Sequence, residues 1–93
     1  MSREEAKEIL AQRLARYRDY PYERLAALVG SCEVEEQRGS DGVVCQLEFE
    51  FFWDDKPAGD VRVMGGIDGV PISAFRPLTD SFIRTSNGQF VGE

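Results

Sequence analysis

From Val43 to Trp53 the odd positions are all apolar: Val43, Cys45, Leu47, Phe49, Phe51 and Trp53. Even positions include Gln46, Glu48 and Glu50. A period of two over this length predicts a β-strand with one dry face and one wet face. The N-terminal third has a different period. Ala6, Ile9, Leu10, Leu14 and Tyr17 recur at helical spacing. Ser2 and Glu5 have the spacing of a capping box. Glutamates come early and arginines late, which complements a helix dipole over about 3–18. Pro21 suits the start of a second, short helix with Leu25, Leu28 and Val29 inside, and Gly30 suits its left-handed stop.

The remainder reads as strands. Residues 31–38 alternate weakly, and Gly39-Ser40-Asp41-Gly42 reads as a turn into the long strand 43–53. Residues 54–60 form a polar loop, 61–67 alternate again, and Asp68-Gly69 signals a tight hairpin into a strand over 70–76. Segments 81–84 and 89–92 flank Asn87-Gly88 as a last small hairpin.

Register follows from the turns. A two-residue turn between Gly39 and Gly42 places Cys32 opposite Phe49 and Val34 opposite Leu47, on one face. Trp53 opposite Val61 places Phe51/Val63, Phe49/Gly65 and Leu47/Ile67 on that same face. The next hairpin adds Ile67/Val70, Gly65/Ile72 and Val63/Ala74. One apolar side across three hairpins is what a half-buried antiparallel sheet requires. The expected fold is α+β: two N-terminal helices packed on one face of an antiparallel β-meander of four to five strands, with residues 1–93 as a single domain.

This register fixes the expected outer face. Glu33 lies opposite Glu48, and Glu35 opposite Gln46, with Glu50 opposite Met64. Phe52 and Phe75 flank Arg62. Like charges across a ladder are destabilising, so the glutamates are either well solvated or functional. The plain account of the aromatics is cross-strand packing, or cover by Phe82 and Phe90. The functional account is a contact surface with an aromatic–arginine centre and an acidic rim. Its residues are Phe52, Arg62, Met64, Phe75, Glu33, Glu35, Glu48 and Glu50.

Charge narrows the choice of partner. The net charge is −6. Residues 1–30 hold six basic and five acidic side chains, whereas residues 31–93 hold five basic and twelve acidic. Direct nucleic-acid binding needs a basic surface to displace counterions, and this chain has none. Another protein, or a second copy in a homodimer, fits better. An acidic mimic of nucleic acid that inhibits a basic protein is an alternative.

Histidine is absent, so Ser-His-Asp and Cys-His chemistry is excluded within one chain. Cys32 and Cys45 fit no zinc pattern and read as core filler, too far apart to bridge. Asp54, Asp55 and Asp60 share a loop, and a small metal-assisted enzyme there is a further alternative. Ordinary turn chemistry explains the same residues, so no metal and no cofactor are expected. No apolar run resembles a signal peptide or reaches the ~20 residues of a membrane span, which points to a cytoplasmic protein with no membrane partner. The run 51–63, with Pro77-Leu78-Thr79-Asp80-Ser81-Phe82-Ile83, resembles segments of small bacterial proteins of unassigned function. That resemblance implies a free-standing cytoplasmic domain and carries no activity. The expectation is a non-enzymatic protein-interaction module using the outer sheet face.

Overall fold

The computed structural model describes residues 3–68 and 78–92. It contains α1 (Arg3–Arg18), α2 (Tyr22–Leu28), β1 (Cys32–Arg38), β2 (Val44–Trp53), β3 (Val61–Asp68) and β4 (Leu78–Arg84). The four strands form one antiparallel sheet in the order β1-β2-β3-β4. The chain is α+β. The strand expected over 70–76 and the capping residue Ser2 lie outside the described residues.

The core joins Ala6, Leu10, Leu14 and Tyr17 of α1 and Leu25 of α2 to Cys45, Leu47, Phe49, Phe51, Val61, Val63, Ile67, Leu78 and Phe82 of the sheet. The strand contributions are alternate residues of β2, β3 and β4, so one face of these three strands is dry. Gly65 allows a close approach of helix to sheet. A Cβ built there would stand 2.9 Å from both Leu10 Cδ1 and Phe49 Cε1. Tyr17 packs its ring on Phe49 and Phe51, with centroids 5.1 and 5.2 Å away.

The β2–β3 register agrees with the alternation: Trp53↔Val61, Phe51↔Val63, Phe49↔Gly65 and Leu47↔Ile67. Asp54 N–H donates to Asp60 O and closes the intervening loop. Beyond this pair the pattern changes. β4 occupies the far side of β3, with Val63↔Phe82 and Arg62↔Ile83. Phe82 therefore points into the core instead of covering the outer face. Phe90 packs edge-on against it, with centroids 5.8 Å apart.

The C-terminal hairpin is small. Arg84 and Phe90 form one antiparallel bridge, Val91 N–H donates to Ile83 O, and Gly88 takes a φ of +90° at the turn. Arg84 Nη1 donates to Arg18 O at the end of α1, at 2.9 Å. A guanidinium from β4 thus satisfies one of the carbonyls that a helix C-terminus leaves without a partner.

The β1–β2 hairpin departs from the expected register by one residue. Gly39 N–H donates to Val43 O, which leaves a three-residue loop, Ser40-Asp41-Gly42. Gly42 has a φ of +83°, the left-handed position that ends such loops. Asp41 Oδ1 accepts the Val43 N–H and holds the turn from inside. The observed pairs are Cys32↔Glu50, Glu33↔Phe49, Val34↔Glu48, Glu35↔Leu47 and Gln37↔Cys45. A slip of one residue turns every side chain of a strand to the other face. Glu33, Glu35 and Gln37 therefore face the helix side, and Cys32, Val34, Glu36 and Arg38 face outward.

Candidate binding surface on the open face of the sheet

The outer face is built from even-numbered positions of β1, β2 and β3 and odd-numbered positions of β4. β2 contributes Gln46, Glu48, Glu50 and Phe52, and β3 contributes Arg62, Met64 and Gly66. β4 adds Ser81 opposite Met64 and Ile83 opposite Arg62. Phe52, Arg62, Met64 and Ile83 are half-buried by their neighbours, while Glu48 and Glu50 are exposed. Among the described residues, the buried helical side chains Ala6, Leu10, Leu14, Tyr17 and Leu25 join the core on the opposite side.

Five of the eight residues singled out from the sequence share this face: Phe52, Arg62, Met64, Glu48 and Glu50. Phe75 lies outside the described residues, and Ile83 is the residue paired with Arg62 on the β4 side. Glu33 and Glu35 do not belong here, because the three-residue hairpin loop turns them to the helix. The expected Glu33/Glu48 repulsion is absent for the same reason: Glu48 lies between Val34 and Gly66, and Glu50 between Cys32 and Met64.

Arg62 has a partner that strand alternation did not reveal. Its Nε donates to Asp54 Oδ1 at 2.9 Å, and its Nη2 lies 2.8 Å from the same oxygen as an ion pair. Asp54 is thereby an anchor for the arginine at the centre of the face. Among the described residues no group of three or more Cys, Asp or Glu side chains gathers as a metal site. The face also gains Val34, which the two-residue turn placed in the core and which is 52% exposed; Val44, an even position of the same strand alternation, is 45% exposed. Cys32 is exposed instead of filling the core, and only Cys45 is buried. Burial pushes the Cys45 thiol above its ordinary pKa, with the Glu5 charge adding to it, so this thiol is a poor nucleophile.

On the opposite side of β1 lies a polar seam. Tyr17 donates its hydroxyl to Glu33 Oε1 at 2.7 Å. Arg13 donates through Nη1 to Glu35 and through Nη2 to Gln37. Arg16 Nη1 lies 3.7 Å from Glu35 Oε1. Burial first, then the bond to Glu33 and the charges of Glu33 and Glu35, hold the Tyr17 hydroxyl above its ordinary pKa. Nearer the hairpin tip, Ser40 N–H donates to the Glu5 carboxylate at 3.2 and 3.4 Å. Ile9, Gln12, Arg13, Arg16 and Gln37 line an open groove of about 370 Å³ between α1 and β1. Opposite charges at Arg13/Arg16 and Glu33/Glu35 were the available signal for this seam, since the Ser-Asp-Gly loop turns those carboxylates toward those arginines.

No helix among the described residues is long and apolar enough to cross a membrane. No protein-family model, no curated protein and no solved structure matches this chain.

Proposed function

We propose that this chain is a non-enzymatic protein-interaction module and that the outer face of its sheet is the contact surface. The reading takes both helices as the cover of the other face. The observation that carries it is the cluster of Phe52, Met64 and Ile83 around the Arg62–Asp54 ion pair, flanked by exposed Glu48 and Glu50. Half-buried apolar side chains around a pre-oriented arginine are the composition of an interface centre, and the glutamates supply a charged rim. Holding Arg62 in place beforehand lowers the entropy lost on binding.

The partner is another protein or a second copy of this chain. The test is a paired mutation, Phe52→Ser with Met64→Ser, compared with wild type by light scattering and by capture from the native cell with mass-spectrometric identification. The expected result is a wild-type dimer, or a captured partner, that the double mutant loses while its far-UV spectrum is unchanged. A dimer or partner retained by the double mutant overturns the proposal. Arg62→Glu sharpens it, since reversing the central charge shifts a face-to-face dimer towards monomer. A captured partner that is strongly basic and dissociates steeply with salt identifies the acidic-mimic form of the module.

A further inference from the structure

We infer that the free edge of β1, together with the α1 groove beside it, is a docking site for an extended segment of a partner protein. That segment adds as a fifth strand, with acidic side chains turned inward and basic ones turned outward. The inference rests on the edge and the groove and does not depend on the outer face being a contact surface.

Hydrogen-bond bookkeeping gives the first argument. Gly39 and Val43 are joined by a ladder bond. In an antiparallel pair the bonded residues alternate, so Gln37, Glu35 and Glu33 direct their N–H and C=O groups to β2. Cys32, Val34, Glu36 and Arg38 direct theirs away from the sheet. Among the described residues β1 pairs with β2 alone, and the Arg38 carbonyl takes the Gln37 side-chain amide at 3.2 Å. The backbone groups of Cys32, Val34 and Glu36 form a row into which an extended chain can add.

The groove gives the second argument. A strand laid on β1 sends alternate side chains to the helix side, beside Gln37, Arg13 and Arg16. Arg13 and Arg16 both reach Glu35, while Glu33 accepts from Tyr17. Arg16 is 61% exposed along its side chain and its contact with Glu35 is the long one, at 3.7 Å, so its guanidinium is open to a closer partner. An inward Asp or Glu matches it, with the amide of Gln12 as a further donor. The outward side chains meet Glu36, with Glu48 one strand beyond, and basic residues match those. A second copy of β1 is a poor occupant: pairing it antiparallel about Glu35 sets that carboxylate opposite itself, with Glu33 and Glu36 close by.

The probe is a short blocked peptide alternating lysine and glutamate, titrated into the nitrogen-15-labelled protein against all-lysine and all-glutamate controls. The Val34 and Glu36 amides should shift and exchange more slowly, and the alternating peptide should bind at least about tenfold more tightly than either control. Val34→Pro removes an outward N–H without touching the β1–β2 ladder, so the fold is kept and binding falls about tenfold. Arg16→Glu, on an exposed side chain, abolishes the preference for inward glutamate. The inference is overturned if the Val34 and Glu36 amides do not respond, or if all-lysine binds as well as the alternating peptide. It is also overturned if the free protein already protects those amides in a dimer.

Discussion

Two parts of the same sheet face meet the same helix in opposite ways. Under β2 and β3 the contact is dry: Phe49, Phe51 and Val63 pack on Leu10, Leu14 and Tyr17, and Gly65 lets Leu10 come within touching distance. Under β1 the contact is wet: Glu33, Glu35 and Gln37 meet Tyr17, Arg13 and Arg16 through hydrogen bonds and charge. The two regions differ in what they contribute. The dry part supplies stability through burial of apolar area. The wet part, half open to solvent, supplies little net energy and fixes the orientation of an edge. One strand and one helix thereby form a polar groove that an apolar seam would have closed.

The largest effect belongs to the dry side. Phe49→Ala removes the ring on which Tyr17 packs and to which Gly65 is fitted, and should cost about 3–5 kcal/mol. Chemical denaturation would measure it against a total of roughly 5–14 kcal/mol for a chain of this size. A loss as small as that of a surface substitution would show that the dry seam is not the main support.

The contrast itself is broken by the hairpin loop. Ser40→Asn, Asp41→Gly and Gly42→Thr, with no residue deleted, put a two-residue turn at 40–41, pair position 39 with position 42 and so shift the register by one, which brings Cys32 and Val34 under the helix. Maleimide labelling reads the result. In the wild type Cys32 reacts and Cys45 is protected until unfolding; in the hairpin with the moved turn Cys32 becomes protected as well. Cys32 reacting equally in both would mean that the loop does not set the register.

The smallest effect is on the wet side. Tyr17→Phe deletes the bond to Glu33 and should cost about 1 kcal/mol at neutral pH. Its pH dependence has a definite sign. Because the folded-state pKa of Tyr17 is raised above the ordinary 10.0, the native protein holds this proton longer than the unfolded chain. The contribution is fully present below pH 10 and is lost as pH rises beyond it. Wild-type stability should therefore fall in that range more steeply than that of Tyr17→Phe. Equal slopes would show that burial and the Glu33 bond together do not hold the Tyr17 proton in the folded state.

These regions also explain what was legible in the sequence. The dry seam was legible because β2 alternates without a break and residues 54–60 close its hairpin, so Trp53↔Val61 and the pairs after it follow. β1 was not, because Cys32-Glu33-Val34-Glu35-Glu36 alternates too weakly to choose a face. The choice then falls to the loop, and a two-residue turn between Gly39 and Gly42 selects the opposite face. Gly42 instead takes the left-handed position of a longer loop. Of the candidate surface, Phe52, Arg62 and Met64 followed from the β2–β3 register. The Asp54 partner of Arg62 did not, because a loop residue reaching back to a strand leaves no periodic trace. Ile83 was out of reach because its place opposite Arg62 depends on how β4 pairs, a long-range matter that local alternation does not encode.

The contact from Arg84 to the Arg18 carbonyl ties the last strand to the end of the first helix. On a ribosome, this means that α1 emerges early but cannot be latched until the chain has been made past residue 84. Until then its apolar stripe, Leu10 and Leu14 included, waits for a sheet that is still being synthesised. A nascent chain therefore carries this uncovered apolar stripe for as long as β4 is still to be made.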